Sequence, residues 1–346
     1  MSEPKMTTIK LNIRKVKKED SDELFRLIKE LAEFEKQSNA VTNNAKNFEK
    51  DSFSSKTLPY ECFVVEDPSH DGTKTRLIAY AMYCIIYCSK AGKRIDFRDI
   101  YVSSEYRSYG LGKQLLSAVC KHAVKENVRE MILMALKWNP AISFYKKLGS
   151  VNFTETEGYQ CYLMKEDNIK RVVDSESRSE TLGNKVRKAS KDDCGEIFRL
   201  ITESAINDKT PNAVEVNEEM LRRDGFETEN PLFMCLVMDD PGRNGKLLGY
   251  TLYSNTYSCK EGKRFFLGDI FISESCRGQG LEKKMMAAVC QEALKENVKT
   301  IRCNISKHSQ SIEFYNKLGF ENITETKAYQ YLRLDSEGIA KTAEIC

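Results

Sequence analysis

The sequence predicts an α/β protein made of one domain twice over, each copy a mixed, mostly antiparallel sheet flanked by helices. Three observations predict it. Strand-like and helical segments follow the order β-α-β-β-β-α-β-α-β from residue 8 to residue 165, and the same order begins again at residue 185. Ile-Phe-Arg-Leu-Ile at 197 to 201 answers Leu-Phe-Arg-Leu-Ile at 24 to 28 with an offset of 173, while Arg277 and Tyr315 answer Arg107 and Tyr145 with an offset of 170. A three-residue deletion in one surface turn explains the change, and a period this long marks a duplicated domain, not a solenoid. Finally, Arg107-Ser108-Tyr109-Gly110-Leu111-Gly112 stands between a strand pattern and a helix pattern.

In chain order, apolar residues at 9, 11 and 13 alternate as in a half-buried strand, and Lys18-Glu19-Asp20-Ser21 supplies capping groups for a helix with Leu24, Leu27, Ile28 and Leu31 on one stripe. A polar connection holding Asn43, Asn44 and Asn47 leads to the strand 62 to 66. Asp67 to Gly72 reads as a hairpin turn, and 77 to 87 as the returning strand. The strand 95 to 103 precedes the glycine run, and a helix carrying Leu115, Leu116, Val119 and Val124 follows it. A strand at 131 to 136, a short helix at 141 to 147 and a last strand at 159 to 164 complete the copy. The stretch 166 to 184, rich in charge and serine, reads as a linker between a first domain (8–165) and a second (185–335).

With 346 residues there is enough chain for two cores. The 54 basic and 51 acidic residues nearly cancel, so composition gives no reason to expect a nucleic-acid partner. No apolar run approaches the roughly 20 residues that span a bilayer, and the start lacks a signal-peptide core, so a soluble cytoplasmic protein with no membrane partner is expected. Twelve cysteines without a C-x-x-C pair, and only three histidines, give no metal site and are read as reduced, mostly buried thiols.

The glycine run has the logic of a phosphate cradle. Glycines let the backbone approach a ligand closely, and the unpaired N–H groups at the start of the next helix point toward an anion. Alone, the pattern also fits a loop that merely turns the chain; Phe144-Tyr145-Lys146-Lys147-Leu148-Gly149 downstream strengthens it.

Together, "LFRLIKELAEFE" (24–35), "AYAMY" (79–83), "RDIYVSSEYRSYGLG" (98–112) and "WNPAISFYKKLG" (138–149) resemble the GNAT acetyltransferase superfamily, and within it the spermidine/spermine (diamine) and thialysine acetyltransferases. The resemblance implies an acetyl-CoA co-substrate lying in a cleft where two strands splay apart. It assigns coenzyme binding to Ile100, Val102, Arg107, Ser108, Tyr109, Gly110, Leu111, Gly112, Lys113 and Asn139. It makes Tyr145 the donor of a proton to the departing thiolate, and Asp99, an acid that survives where the family's base is missing, is read as the second catalytic residue. It also implies a pairing of the two copies within one chain, since relatives work as homodimers.

The sequence departs from that pattern at informative places. The glutamate that serves the polyamine enzymes as base is replaced by Arg98 in the first copy and Gly268 in the second. Arginine stays protonated and cannot take that role. The acids left for substrate binding are Glu30, Glu33 and Glu35, and a cleft with Arg98 and Lys90 beside Glu30 and Glu35 is expected to suit a zwitterionic amine better than a bare polycation. In the second copy the cradle ends in Glu282 where the first has Gly112, so weak or absent acetyl-CoA binding is expected there. The leading expectation is an N-acetyltransferase acting on a primary amine of a small molecule through its first copy. The alternative is a non-catalytic shell that binds CoA or regulates a partner.

Overall fold

The computed structural model describes residues 12–53, 60–67, 76–177 and 185–345. Part of the expected opening strand, most of the 67–72 turn and residues 178–184 of the expected linker lie outside them. The first half runs β1 (Ile13–Lys15), α1 (Ser21–Phe34), α2 (Ala45–Phe53), β2 (Glu61–Glu66), β3 (Leu77–Cys88), β4 (Gly92–Val102), α3 (Leu111–Lys125), β5 (Glu130–Leu136), α4 (Ala141–Lys147), β6 (Val151–Asn152), α5 (Phe153–Thr156), β7 (Tyr159–Lys165) and α6 (Glu166–Ser177). The second half repeats it as β8 (Val186–Lys188), α7 (Cys194–Asn207), α8 (Glu218–Gly225), β9 (Met234–Asp239), β10 (Leu247–Ser258), β11 (Gly262–Ile272), α9 (Leu281–Lys295), β12 (Thr300–Ser306), α10 (Ile312–Leu318), β13 (Glu321–Asn322), α11 (Ile323–Thr326), β14 (Tyr329–Leu334) and α12 (Ser336–Ala343).

Local chemistry explains the elements. The stripe of α1 puts Leu24, Leu27, Ile28 and Leu31 in the core. Ahead of it, the buried Asp20 takes Nη1 of Arg14 at 2.6 Å and the Lys17 N–H at 2.7 Å, which fixes how strand β1 turns into the helix. Arg187 and Asp193 repeat the device in the second half. Strands β3 and β10 are buried on both faces: α3 covers one face of β3 and α9 one face of β10, while the other face is shared by α1 or α7 with residues of the partner half. The polar connection read after α1 contains helix α2, whose Phe48 is buried against Tyr60 and Tyr257.

The sheets do not follow the sequence boundary. One has the order β1-β2-β3-β4-β5-β14-β6 and the other β13-β7-β12-β11-β10-β9-β8. Thus β7, expected as the last strand of the first domain, pairs antiparallel with β12 from Tyr159 opposite Ser306 to Lys165 opposite Thr300. In return β14 pairs with β5, from Tyr329 opposite Leu136 to Leu334 opposite Met131. The helices travel with their strands. The stretch 166–177 read as linker is helix α6, which buries Ile169 and Val172 in the second core, and α12 buries Ile339 in the first. Each fully buried Ile contributes roughly 1.5–3 kcal/mol, so both exchanged helices are structural members, not connectors. Where the exchanged strands meet, Tyr159 stacks on Tyr331 at 5.7 Å.

Candidate active site

Strand β4 carries a bulge: Met82 stands opposite Asp99, Tyr83 opposite Phe97, and Arg98 is the extra residue. The extra residue shifts the alternation by one and aims Asp99 and Arg98 differently from a regular strand. On its other edge β4 pairs with β5 only from Arg94 to Phe97. Beyond Phe97 the two strands part, leaving the backbone of Ile100 and the Val102 N–H without a β5 partner on that edge while β3 holds the opposite one. The cleft inferred from the sequence opens here. Strand β11 has the same bulge, with Gly268 as its extra residue, and a Cβ there would lie 2.8 Å from the Tyr87 carbonyl oxygen of the first half. Only glycine fits that approach.

After β4 the chain enters the cradle with Ser108 at φ 71° and Gly110 at φ 78°, and α3 starts at Leu111. The left-handed Gly110 leaves open space where a side chain would be, so the N–H groups at the start of α3 face a clear approach. Lys113 is exposed at the rim and Leu111 is anchored in the core. Arg107 bends back: its Nε donates to the Val102 carbonyl at 3.0 Å and its guanidinium lies over Phe34 and Tyr101. Tyr109 is exposed. These residues fit a diphosphate followed by an extended amide chain along the free edge of β4.

Tyr145 of α4 is buried below the cleft, edge-on to Phe97 at 6.4 Å. Burial, then the charges of Asp99 and Glu35, push its phenol above the ordinary tyrosine value, so it stays protonated at neutral pH. Asn139 does not point its carbonyl into the cleft; Oδ1 accepts the N–H of Ala141, the first residue of α4, at 2.9 Å. Trp138 beside it is half exposed and packs 5.9 Å from Phe34 at the mouth.

The acids expected to meet substrate divide. Glu30 pairs with Arg26 and accepts from the Ser103 hydroxyl at 3.3 Å, so it braces the end of β4 and does not face the cleft. Glu33 is exposed. Glu35 lies in the cleft, where burial raises its carboxyl against the pull of Lys260 and with help from Asp99. Arg98 is turned away from substrate into the seam between the halves, its Nη1 donating to Asp96 at 3.1 Å. Lys90, expected beside Glu35, crosses to the second half and bonds Asp208 at 2.6 Å. Its place is taken by Lys260 of the second half, 2.5 Å from Glu35 Oε2 and 2.8 Å from Gln37 Oε1. The Tyr329 hydroxyl, on the exchanged strand, also reaches Gln37 at 3.1 Å.

Sequence reasoning missed what the partner half brings. Cys259 lies against Asp99 and Met82, and burial followed by the Asp99 charge pushes its thiol well up. Tyr80 is wholly buried, and its hydroxyl has no hydrogen-bond partner among the described residues. In the second half the equivalent Tyr250 hydroxyl donates to Asp269, which the Ser89 hydroxyl also bonds at 2.6 Å. Buried phenols are normally satisfied, so the unpartnered Tyr80 hydroxyl is the polar difference between the two halves at this position. The recurrence of Lys90 as Lys260 was visible in the sequence, but the cleft that each lysine serves depends on which half it leans across.

The Acetyltransferase (GNAT) family model matches residues 24–150 and again 195–320. The chain is 34% identical over 165 residues to the thialysine N-epsilon-acetyltransferase of Mus musculus, spanning 46% of this chain and 96% of that protein. It is 30% identical over 168 residues to the spermidine/spermine N(1)-acetyltransferase-like protein 1 of Homo sapiens, covering 46% of this chain and 23% of the human protein. A solved tandem GNAT protein from the clavulanic acid biosynthesis pathway superposes with a TM-score of 0.51 over 94% of this chain and 99% of its own, at 13% identity, a likeness of fold. Two family matches, two bulged strands and two cradles lead to one conclusion: this chain is a tandem N-acetyltransferase of the GNAT acetyltransferase family.

Proposed function

We propose that the first cleft transfers acetyl from acetyl-CoA to a primary amine of a small molecule, a diamine, polyamine or thialysine-like amino acid, with the second half serving as its built-in partner. The reading is carried by the convergence, at the point where β4 leaves β5, of the open cradle 107–113, the protonated Tyr145 and the acids Asp99 and Glu35. Acetyl-CoA, when bound, supplies the acetyl thioester; the cradle N–H groups and the free edge at Ile100 and Val102 would hold it. The chain's own groups do the rest. Asp99, beside the unpaired Tyr80 hydroxyl, positions the incoming amine and accepts a hydrogen bond from it. As the amine nitrogen bonds the acetyl carbon and the carbon–sulfur bond breaks, the Tyr145 phenol gives its proton to sulfur, and the proton lost by nitrogen leaves through water and restores it. The chain's eleven described cysteines are all unpaired, which fits a reducing cytoplasm.

The test is thiol release from acetyl-CoA by purified full-length protein over a panel of amines, with Tyr145→Phe as control. Amine-dependent release that the variant loses supports the reading; release with no amine acetylated overturns it.

A further inference from the structure

We propose that Lys260, reaching from the second half, sets the acceptor class of the first cleft: it neutralises Glu35 and selects an amine whose far end is a carboxylate, excluding polyamines. The inference rests on the acetyltransferase reading above and narrows its substrate. Lys260 is held on two sides. Its carbonyl accepts the Thr42 and Asn43 N–H groups at 2.8 and 2.9 Å, which fixes the tip between β10 and β11, and its ammonium bonds Glu35 and Gln37. The Lys260 and Glu35 side chains are 16% and 13% exposed, so water screens the pair little.

The charge arithmetic of the cleft follows. Of the acids toward the end of α1 and just after it, Glu30 is committed to Arg26 and Glu35 to Lys260. Asp99 remains for the reacting amine. A second ammonium on the substrate would meet a neutral ion pair and lose hydration without a counter-charge, a cost that burial makes heavy. A carboxylate at the same place finds an attractive partner. An ammonium has three donors, and Lys260 uses two, on Glu35 and Gln37, leaving one. The pseudo-twofold relation repeats the trio as Lys90, Asp208 and Thr210, which rules out a chance contact of one side chain.

A clasp between the halves is the competing role for Lys260, and a clasp would not sort substrates. The experiment compares kcat/KM for thialysine, its carboxamide and spermidine at saturating acetyl-CoA in full-length wild type, Lys260→Gln, Lys260→Arg and Glu35→Gln, with thermal unfolding of each. Wild type is expected to prefer thialysine over both others. Lys260→Gln should lower the thialysine-to-spermidine ratio by about tenfold or more, chiefly through KM, whereas Lys260→Arg keeps it and Glu35→Gln raises it. Ratios unchanged in Lys260→Gln and Glu35→Gln, or spermidine preferred by wild type, would overturn the assignment while leaving the acetyltransferase reading standing. Turnover of no amine by wild type would instead overturn both.

Discussion

Asp96 of the first half and Arg302 of the second form an ion pair at 2.8 Å across the seam, with side chains 1% and 2% exposed. Against the cost of burial, the charges of Arg302 and Arg98 hold the Asp96 carboxyl below its usual range. The repeat relation gives this pair no mirror image: Phe266 and Ile132 occupy the equivalent positions. The seam therefore distinguishes first half against second from first against first. Removing one member of a buried pair leaves the other charge poorly compensated. Arg302→Met is expected to destabilise the chain by on the order of 3 kcal/mol in urea unfolding. An effect within ~0.5 kcal/mol would show the pair to be energetically idle.

The two cradles share their backbone turn, since Ser108 and Gly110 are matched by Gly278 and Gly280, both left-handed. The difference that adds a negative charge is at the residue after the first of the helix, Gly112 in α3 and Glu282 in α9. Gly112→Glu is expected to abolish acetyl-CoA binding, followed by calorimetry, and turnover with it. A cofactor stoichiometry near two in the wild type would contradict the assignment of binding to the first half alone.

Tyr145→Phe should keep acetyl-CoA affinity and lose about 10²-fold or more in kcat, the usual worth of a positioned proton donor. The pH profile of the wild type carries the same information. Because the phenol's value is raised above about 10, its acid form persists to higher pH than in a free tyrosine. Activity should rise with pH as the amine loses its proton and show no alkaline limb up to about pH 10. A fall centred between 8 and 9 would assign the proton to another group.

The first half produced alone, through α6, lacks β14 and offers β7 to an absent sheet. It is expected to exist as an exchanged dimer less stable than the full chain, because each Asp96 would then face Ile132. Light scattering and thermal unfolding read both. A stable monomer would mean that β7 can fold back into its own sheet.

Much of the fold was written in local patterns. The stripe of α1, the apolar run of β3 and the cradle glycines depend on neighbours in sequence, and the double period exposes the second copy. The exchange of β7 and β14 was not legible, because the two strands are copies with the same alternation and each fits either sheet. For the same reason the sequence does not show that Lys90 bonds Asp208 while Lys260 bonds Glu35, since each lysine reaches across to the other copy. The place of Arg98 at the seam is not legible because a bulge reverses the face on which the following residues stand, and a bulge has no firm mark in a strand of β-branched and charged residues. The role of Glu30 was hidden by Arg26, one turn away on the same helix, which turns the carboxylate toward Ser103.

The traded strands have a consequence for inheritance. Since neither sheet is whole without the last strand of its twin, deletion of either copy leaves the other unfinished, even a copy that turns over nothing. Mutations could accumulate freely around Glu282 and the sealed Asp269 pocket, yet the scaffold that carries them had to be kept. Loss of turnover in one copy would leave the need for its scaffold untouched.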